Sequence, residues 1–350
     1  MEPRPPSINT LARALGMSRT TVSDALRGKG RVSPATIRRV QSAAKAAGYK
    51  PNPLVAHVLG SINRSRGNAF HGTLAVVDLF EPDHPHGPFP RELVAGARTR
   101  AAEMGFSIAE FVVGPNRLPW TRLDSILQSR GAHGIIVLPA WFAADLSGLD
   151  WSRYAGIYTD YVTTGPQLHS VSPDHYGSML SLLQILERRG YRRPGLLLQR
   201  QRDERIGHRQ SSAFSAFQTK QGRDALIPPL ITDEYPQLER EFAPWFRRHR
   251  PDVVLSHFPE TRDWIRACTP AIPPGFVLLN TLDRTYPCAA LDLQPRVIGA
   301  RAVEMVVGQI LRNELGVPAW PSRTIVEARW VEGPTVRAAA HAAAGGELRV

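Results

Sequence analysis

Residues 7–59 read SINTLARALGMSRTTVSDALRGKGRVSPATIRRVQSAAKAAGYKPNPLVAHVL. Ser7 is placed to cap a helix on which Ile8, Leu11, Ala12 and Leu15 recur at helical spacing. Gly16 ends that helix where a residue without Cβ costs least, and Met17 is positioned to plug a small core. Ser18 opens a second helix over 19–26, with Val22, Ala25 and Leu26 facing in and Arg19, Thr20, Ser23 and Asp24 facing out. A turn with three cations follows: Arg27, Lys29 and Arg31 among two glycines. Ser33 and Pro34 form a cap and first turn for a third helix, which Gly48 stops at about Ala47.

Two helices joined by a short glycine-containing turn form a helix-turn-helix, whose second helix enters the major groove of DNA by its N-terminal residues. Here those are Ser18, Arg19, Thr20 and Thr21. Arginine forks onto guanine, threonine meets a thymine methyl or a phosphate, and helix-start N–H groups bind phosphate. Arg19 and Thr20 are therefore expected on base edges, and Thr21, Ser23, Arg27, Lys29 and Arg31 on phosphates. Asp24 either accepts from cytosine N4 or pairs with Arg27.

The charge points the same way. Of a formal net charge of +12 in 350 residues, the first seventy hold a surplus of ten: twelve Lys and Arg against two acids. A basic patch confined to a small module is the footprint of a polyanion binder; a generically basic protein spreads its charge.

Residues 8–59 resemble the DNA-binding headpiece of the lac repressor (LacI/GalR-type) family. The resemblance is carried by Leu11-Ala12, Gly16-Met17-Ser18, Thr20 to Ser23, Val32-Ser33, Thr36, Tyr49 and Pro51-Asn52-Pro53. It implies a three-helix headpiece, a homodimer on double-stranded, pseudo-palindromic operator DNA, and a repressor's role. It also implies a hinge helix after Asn52 that lies in the minor groove and kinks the DNA with a wedged side chain. The wedge position falls on Val58, with Leu59 beside it, and Val55-Ala56 stand where the family has Ala-Arg. The expected parts are a headpiece over 1–50, a hinge and polar linker over 51–71, a bilobed domain over 72–335, and a disordered Ala/Gly-rich tail over 336–350.

From Gly72 onward, strands alternate with helices. Strands are predicted at 73–78, 106–113, 134–139 and 155–160, with helices at 92–104 and 120–130. The rhythm restarts after 174: helices at 174–189, 208–221 and 295–315, and strands at 193–198, 252–256 and 276–280. Two successive α/β units make a bilobed domain of parallel sheets with a cleft beyond the strands' carboxyl ends. The resemblance continues through Gly87-Pro88-Phe89, the 171–177 run VSPDHYG and the 189–193 run RGYRR. It implies a periplasmic-binding-protein-like effector domain whose lobes the chain crosses three times. It places effector contacts at Phe89, at Arg209 or Gln210, at His257 and at Asp283, with Trp141 and Asp160 as further cleft candidates. Aromatic faces beside forked Arg and carboxylate groups suit a sugar or nucleoside. The family's Arg-x-x-Gly-Phe stands here as Gln210-Ser211-Ser212-Ala213-Phe214.

The remaining motifs carry little chemistry. No catalytic or metal-binding signature is present, so neither an enzyme nor a cofactor is expected. Asp83, His84 and His86 lie in a Pro-rich loop without a third ligand set. Cys268 and Cys288 are read as reduced thiols. The start MEPRPPSINT lacks an apolar secretion core and no long apolar run spans a membrane, so a cytoplasmic protein is expected. Residues 303–311 read equally as core or subunit interface. The competing class is a solute-binding protein that uses only the second module; an effector-independent repressor with a degenerate pocket is a variant of the first reading.

Overall fold

The computed structural model describes residues 8–18, 21–22, 25–26, 32–47, 72–79, 87–114, 116–220, 226–269 and 273–338. The chain divides into two compact units, with the division between residues 67 and 68.

In the first unit, α1 spans Ile8–Leu15 and α2 spans Pro34–Ala46. Gly16 takes φ +65° and lets the Met17 N–H return to Ala12 O at 3.0 Å. Ser18 caps the second helix: its Oγ accepts from the Thr21 N–H at 3.0 Å, and Val22 N–H bonds Ser18 O at 3.1 Å. Residues 21–22 and 25–26 are helical, as the periodicity predicts. Ser33 accepts from the Thr36 N–H at 3.2 Å and Pro34 opens α2. Leu11, Ala12, Val22, Ala25, Val40 and Ala44 form the core, with Met17 packed against it.

The second unit has two lobes, each built on a six-stranded sheet. Lobe 1 orders its strands β2-β1-β3-β4-β5-β11: Phe106–Val113, Gly72–Leu79, Gly134–Val137, Ala155–Tyr158, His169–Pro173 and Arg323–Val326. All its neighbours pair parallel. Lobe 2 orders β7-β6-β8-β9-β10-β12: Leu230–Thr232, Pro194–Gln199, Val253–Ser256, Gly275–Leu278, Ala289–Asp292 and Arg329–Val331. Only β12 in this sheet runs antiparallel, against β10. Sequence and position agree. The apolar runs of β3, β4, β8 and β9 are buried throughout, as sheets covered on both faces require. The edge strand β11 alternates between exposed and half-buried residues.

Helices cover both faces of each sheet. Leu74 and Val76 of β1 point to one core, shared with α3 (Pro88–Glu103), while Ala75 and Val77 point to the other, shared with α4 (Trp120–Arg130). In lobe 2, α5 (His175–Arg188) and α7 (Arg209–Lys220) supply one core. The other core comes from α8 (Tyr235–His249) and α9 (Thr261–Cys268), whose Phe242, Trp245, Phe246 and Ile265 are buried in it. The chain crosses between the lobes after β5, after β10 and between β11 and β12. On the second crossing, α10 (Pro295–Arg312) returns to lobe 1, where Val303, Val306 and Val307 are buried. The 303–307 face is therefore core. The C-terminal chain is ordered further than the sequence suggests. Val336 packs on the lobe 2 core, and the Arg337 N–H donates to Tyr191 Oη at 2.8 Å, so 336–338 do not belong to a disordered tail. Residues 339–350 lie outside the described residues.

Helices α3 and α10 approach so closely that only glycine fits at two positions. A Cβ on Gly299 would stand 2.0 Å from Leu93 O, and one on Gly96 would stand 2.1 Å from Arg296 O. Gly299→Ala should therefore cost the second unit about 1–3 kcal/mol through forced separation of the pair. Thermal melting would show a lowered midpoint; an unchanged midpoint would mean the helices do not pack at this distance.

Candidate functional site

The carboxyl ends of the two sheets face each other across a cleft, as expected for open parallel sheets. From lobe 1, β3 runs into Pro139-Ala140-Trp141 and β4 into Thr159-Asp160-Tyr161. From lobe 2, β6 passes directly into the short helix α6 (Arg200–Arg205), β8 into His257, and β9 into Asn280 and a turn ending at Asp283. Between them lies a cavity of about 120 Å³. Of the sequence-predicted residues, Phe89, Trp141, Asp160, Gln210, His257 and Asp283 all line this cavity. Phe89, near the start of α3, packs against the cores of both lobes.

Sequence reasoning missed Arg202, Arg205, His175, Asn280 and Thr159, which also line the cavity. The two arginines sit three residues apart on α6, so they share a face. Arg205 Nη1 donates to Asp160 Oδ2 at 2.9 Å across the cleft. Both guanidiniums also lie against the Trp141 ring of lobe 1, Arg202 at 5.2 Å and Arg205 at 5.4 Å from its centroid. Arg202 is within 5.5 Å of the Phe258 ring and 3.9 Å from Asp283 Oδ2. Burial pushes the Asp160 and Asp283 carboxyls up, while Arg205 and Arg202 respectively pull them back. Burial also lowers the Arg202 guanidinium.

Two histidines are held uncharged. His257 Nε2 bonds Gln210 Oε1 at 2.9 Å, so with the amide oxygen accepting, the ring proton sits on Nε2 and Nδ1 is a bare acceptor. Burial drives its pKa well below 6.5, with Arg202, His175 and Arg205 adding to the effect. His175, the first residue of α5, is pushed down to about 3 by burial and by Arg205 and Arg209. Nδ1 of both rings is buried without a hydrogen-bond partner.

Arg209 does not line the cavity, which corrects one of the two alternatives for that position. His208 takes φ +56° at the start of α7, and successive helical residues then diverge by about 100°. That turn sends Gln210 into the cleft and lays Arg209 over the Tyr161 ring at 4.4 Å, with Arg323 against the same ring at 4.7 Å. The α6–α7 junction is fixed by buried Asp203, which accepts from Ser211 Oγ at 2.6 Å and from the Ser211 N–H at 3.3 Å.

In the first unit, Ser18 and Thr21 are joined by a side-chain hydrogen bond of 2.8 Å, so both help build the start of the second helix. The other predicted DNA contacts lie outside the described residues: Arg19, Thr20, Ser23, Asp24, Arg27, Lys29, Arg31, and the hinge residues Asn52, Val55, Ala56, Val58 and Leu59. So do Asp83, His84 and His86. Among the described residues, no three His, Cys, Asp or Glu side chains gather into a metal-ligand set, and no helix is long and apolar enough to cross a membrane. Cys268 and Cys288 are free thiols.

A capped helix-turn-helix and a bilobed, thrice-crossed α/β unit define a two-part chain of a known class. Residues 7–52 match the family described as bacterial regulatory proteins, lacI family. The chain is similar to an HTH-type transcriptional regulator of Mycolicibacterium smegmatis, 29% identical over 57% of this chain and 52% of that protein. It is also similar to the maltose regulon regulatory protein MalI of Escherichia coli, 27% identical over 53% of this chain and 52% of that one. It thus spans about half the length of these curated relatives. Among solved structures, the transcriptional regulator CelR in complex with cellobiose superimposes with a TM-score of 0.56 at 20% identity, over 94% of this chain and 99% of that one. A lac repressor dimer bound to operator and the anti-inducer ONPF gives 0.54 at 16% identity, over 96% and 100%. The family match thus covers residues 7–52, and the solved structures share the fold of the chain.

The depressed His175 has a consequence for stability. Its folded pKa of about 3 lies below the unfolded value of 6.5, so the unfolded chain takes up a proton first. The resulting stability is intact above pH 6.5 and drains away as pH falls towards 3. Denaturant unfolding of the second unit should lose about 2 kcal/mol between pH 8 and pH 5 through this group. His175→Asn should flatten that slope, and an unaltered slope would place the proton uptake elsewhere.

Proposed function

We propose that the protein is a ligand-controlled transcriptional repressor, acting as a homodimer on a pseudo-palindromic operator. The observation that supports this most is the lacI-family match over residues 7–52, in the segment where the net positive charge concentrates. Arg19 and Thr20 read base edges. Thr21, Ser23, Arg27, Lys29 and Arg31 hold phosphates, and the hinge from Asn52 places Val55, Ala56, Val58 and Leu59 at the minor groove. A sugar or sugar derivative in the cleft shifts the balance between lobe arrangements and so changes operator affinity. The cavity supports this half of the reading: Phe89, Trp141, Asp160, Gln210, His257 and Asp283, named from sequence, converge on one cavity.

A duplex selected from a random pool provides the test. The full chain should retard it with affinity that falls steeply as salt rises. Arg19→Ala should cost about 1–3 kcal/mol and relax the preference at one base position. Equal loss on all sequences would make Arg19 a phosphate contact. If no duplex is retarded at any salt, the repressor reading fails and a solute-binding protein takes its place.

A further inference from the structure

The cleft takes up only one end of the lobe 2 sheet. At the other end, where β8 and β9 begin, a second cavity of about 580 Å³ opens between α9 and the C-terminal stretch 334–337. It shares no lining residue with the cleft. Strand β8, which separates the two spaces, has four residues, so at roughly 3.3 Å per residue they lie about 13 Å apart along it. The volume falls within the range of small-molecule sites, roughly 300–1,000 Å³.

Three cations line this groove: Arg262 and Arg266 of α9, and Arg337 of the C-terminal stretch. The two on α9 stand at i and i+4, on one face of the helix, where like charges repel. Two of the three guanidiniums are held in place by rings. Arg262 lies over Tyr286 at 4.5 Å, and Arg337 over Tyr191 at 4.4 Å, with Arg337 Nη1 also donating to Gly190 O at 2.8 Å. A planar guanidinium that gives its face to a ring keeps N–H groups along its edge for an acceptor. The groove supplies no such acceptor. Asp252 is the one carboxylate among its lining residues, and its two oxygens accept from the Arg192 N–H at 2.6 Å and the Arg193 N–H at 2.9 Å. Among the described residues, no Asp or Glu forms an ion pair with Arg262, Arg266 or Arg337.

The remaining walls are apolar and poor in donors. Pro251, Pro273, Pro274 and Pro334 have no N–H, and the Thr335 hydroxyl donates to Phe276 O at 2.7 Å. Recognition of a polar ligand therefore falls to the arginines. Three guanidiniums on two walls suit an acceptor with several oxygens and more than one negative charge. A phosphate monoester carries about −1.5 to −2 at pH 7 on three acceptor oxygens. A carboxylate carries one charge on two oxygens and would leave part of the set unmet.

We propose that this groove is a second ligand site, which binds a small phosphorylated molecule. Arg262, Arg266 and Arg337 hold the phosphate, and the organic body lies against the proline wall. The site is separate from the cleft, and the proposal does not depend on the chain binding DNA.

The experiment is calorimetry on the full chain at constant ionic strength, with pyrophosphate and AMP as probes and adenosine as the uncharged control. Both anions should bind saturably, with dissociation constants below about 1 mM, and adenosine should bind at least about tenfold more weakly than AMP. Amide hydrogen exchange with pyrophosphate bound should slow over 261–268 and 335–337. Arg266→Glu should weaken pyrophosphate at least about tenfold. Arg266 is exposed and lies outside the lobe 2 cores, so an unchanged melting midpoint will show that the variant is folded. No binding of pyrophosphate overturns the proposal, and so does adenosine binding as tightly as AMP. Unchanged affinity in Arg266→Glu, as binding by the basic first unit would give, overturns it too, as does slowed exchange confined to the cleft.

Discussion

Two lobes of parallel sheet meet at the carboxyl ends of their strands, and a small set of charged and aromatic side chains holds them together. Asp160 and Trp141 extend from lobe 1; Arg205 and Arg202 reach them from a one-and-a-half-turn helix on lobe 2. The pairing is chemically economical. A guanidinium is planar, so it gives its edge to a carboxylate and its face to a ring at once. Neither contact is free of cost, because burial works against the charged form of Asp160 and of Arg202. Removing one partner leaves the other buried and uncompensated, which is more damaging than never having had the pair.

Besides the three crossings of the chain, Phe89 packs on the cores of both lobes and the clasp formed by these side chains spans the cleft. Helix α10 anchors one crossing firmly in lobe 1 through the close approach at Gly96 and Gly299. The neutral histidines complete the picture: both are deprived of solvent, both sit near the arginines, and so neither takes up a proton in the physiological range.

Much of this was legible in the residues. The caps at Ser18 and Ser33 and the break at Gly16 follow from local hydrogen bonding and φ preference, which need no tertiary context. Strands such as β3 and β8 were legible because burial on both faces leaves an unbroken apolar run. Strands β5, β7, β10, β11 and β12 were not, since HSVSP, LIT, AALD, RTIV and RWV carry no such long run. Six of the seven cleft candidates line one cavity: Trp141, Asp160, His257 and Asp283 follow strands at the end where open parallel sheets bind ligands, and Phe89 and Gln210 stand near helix starts. Arg209 is the exception, displaced by the phase of α7. Arg202 and Arg205 escaped notice because α6 is too short for a hydrophobic period. A signal existed all the same: two arginines at i and i+3 directly after a buried strand, at the end where ligands bind.

Under the proposed function, the state of the cleft changes the affinity of the first unit for DNA. Asp160→Asn tests it without knowledge of the ligand, because it weakens the clasp and leaves residues 1–70 untouched. The measurement is the dissociation constant of this variant and of the unaltered chain on the same selected duplex at one salt concentration. Coupling between sites is worth about 1–3 kcal/mol, so the account predicts a change of at least about fivefold. Equal affinities, with the variant shown to be folded, would mean that the cleft and the DNA-binding unit act independently, and would contradict it.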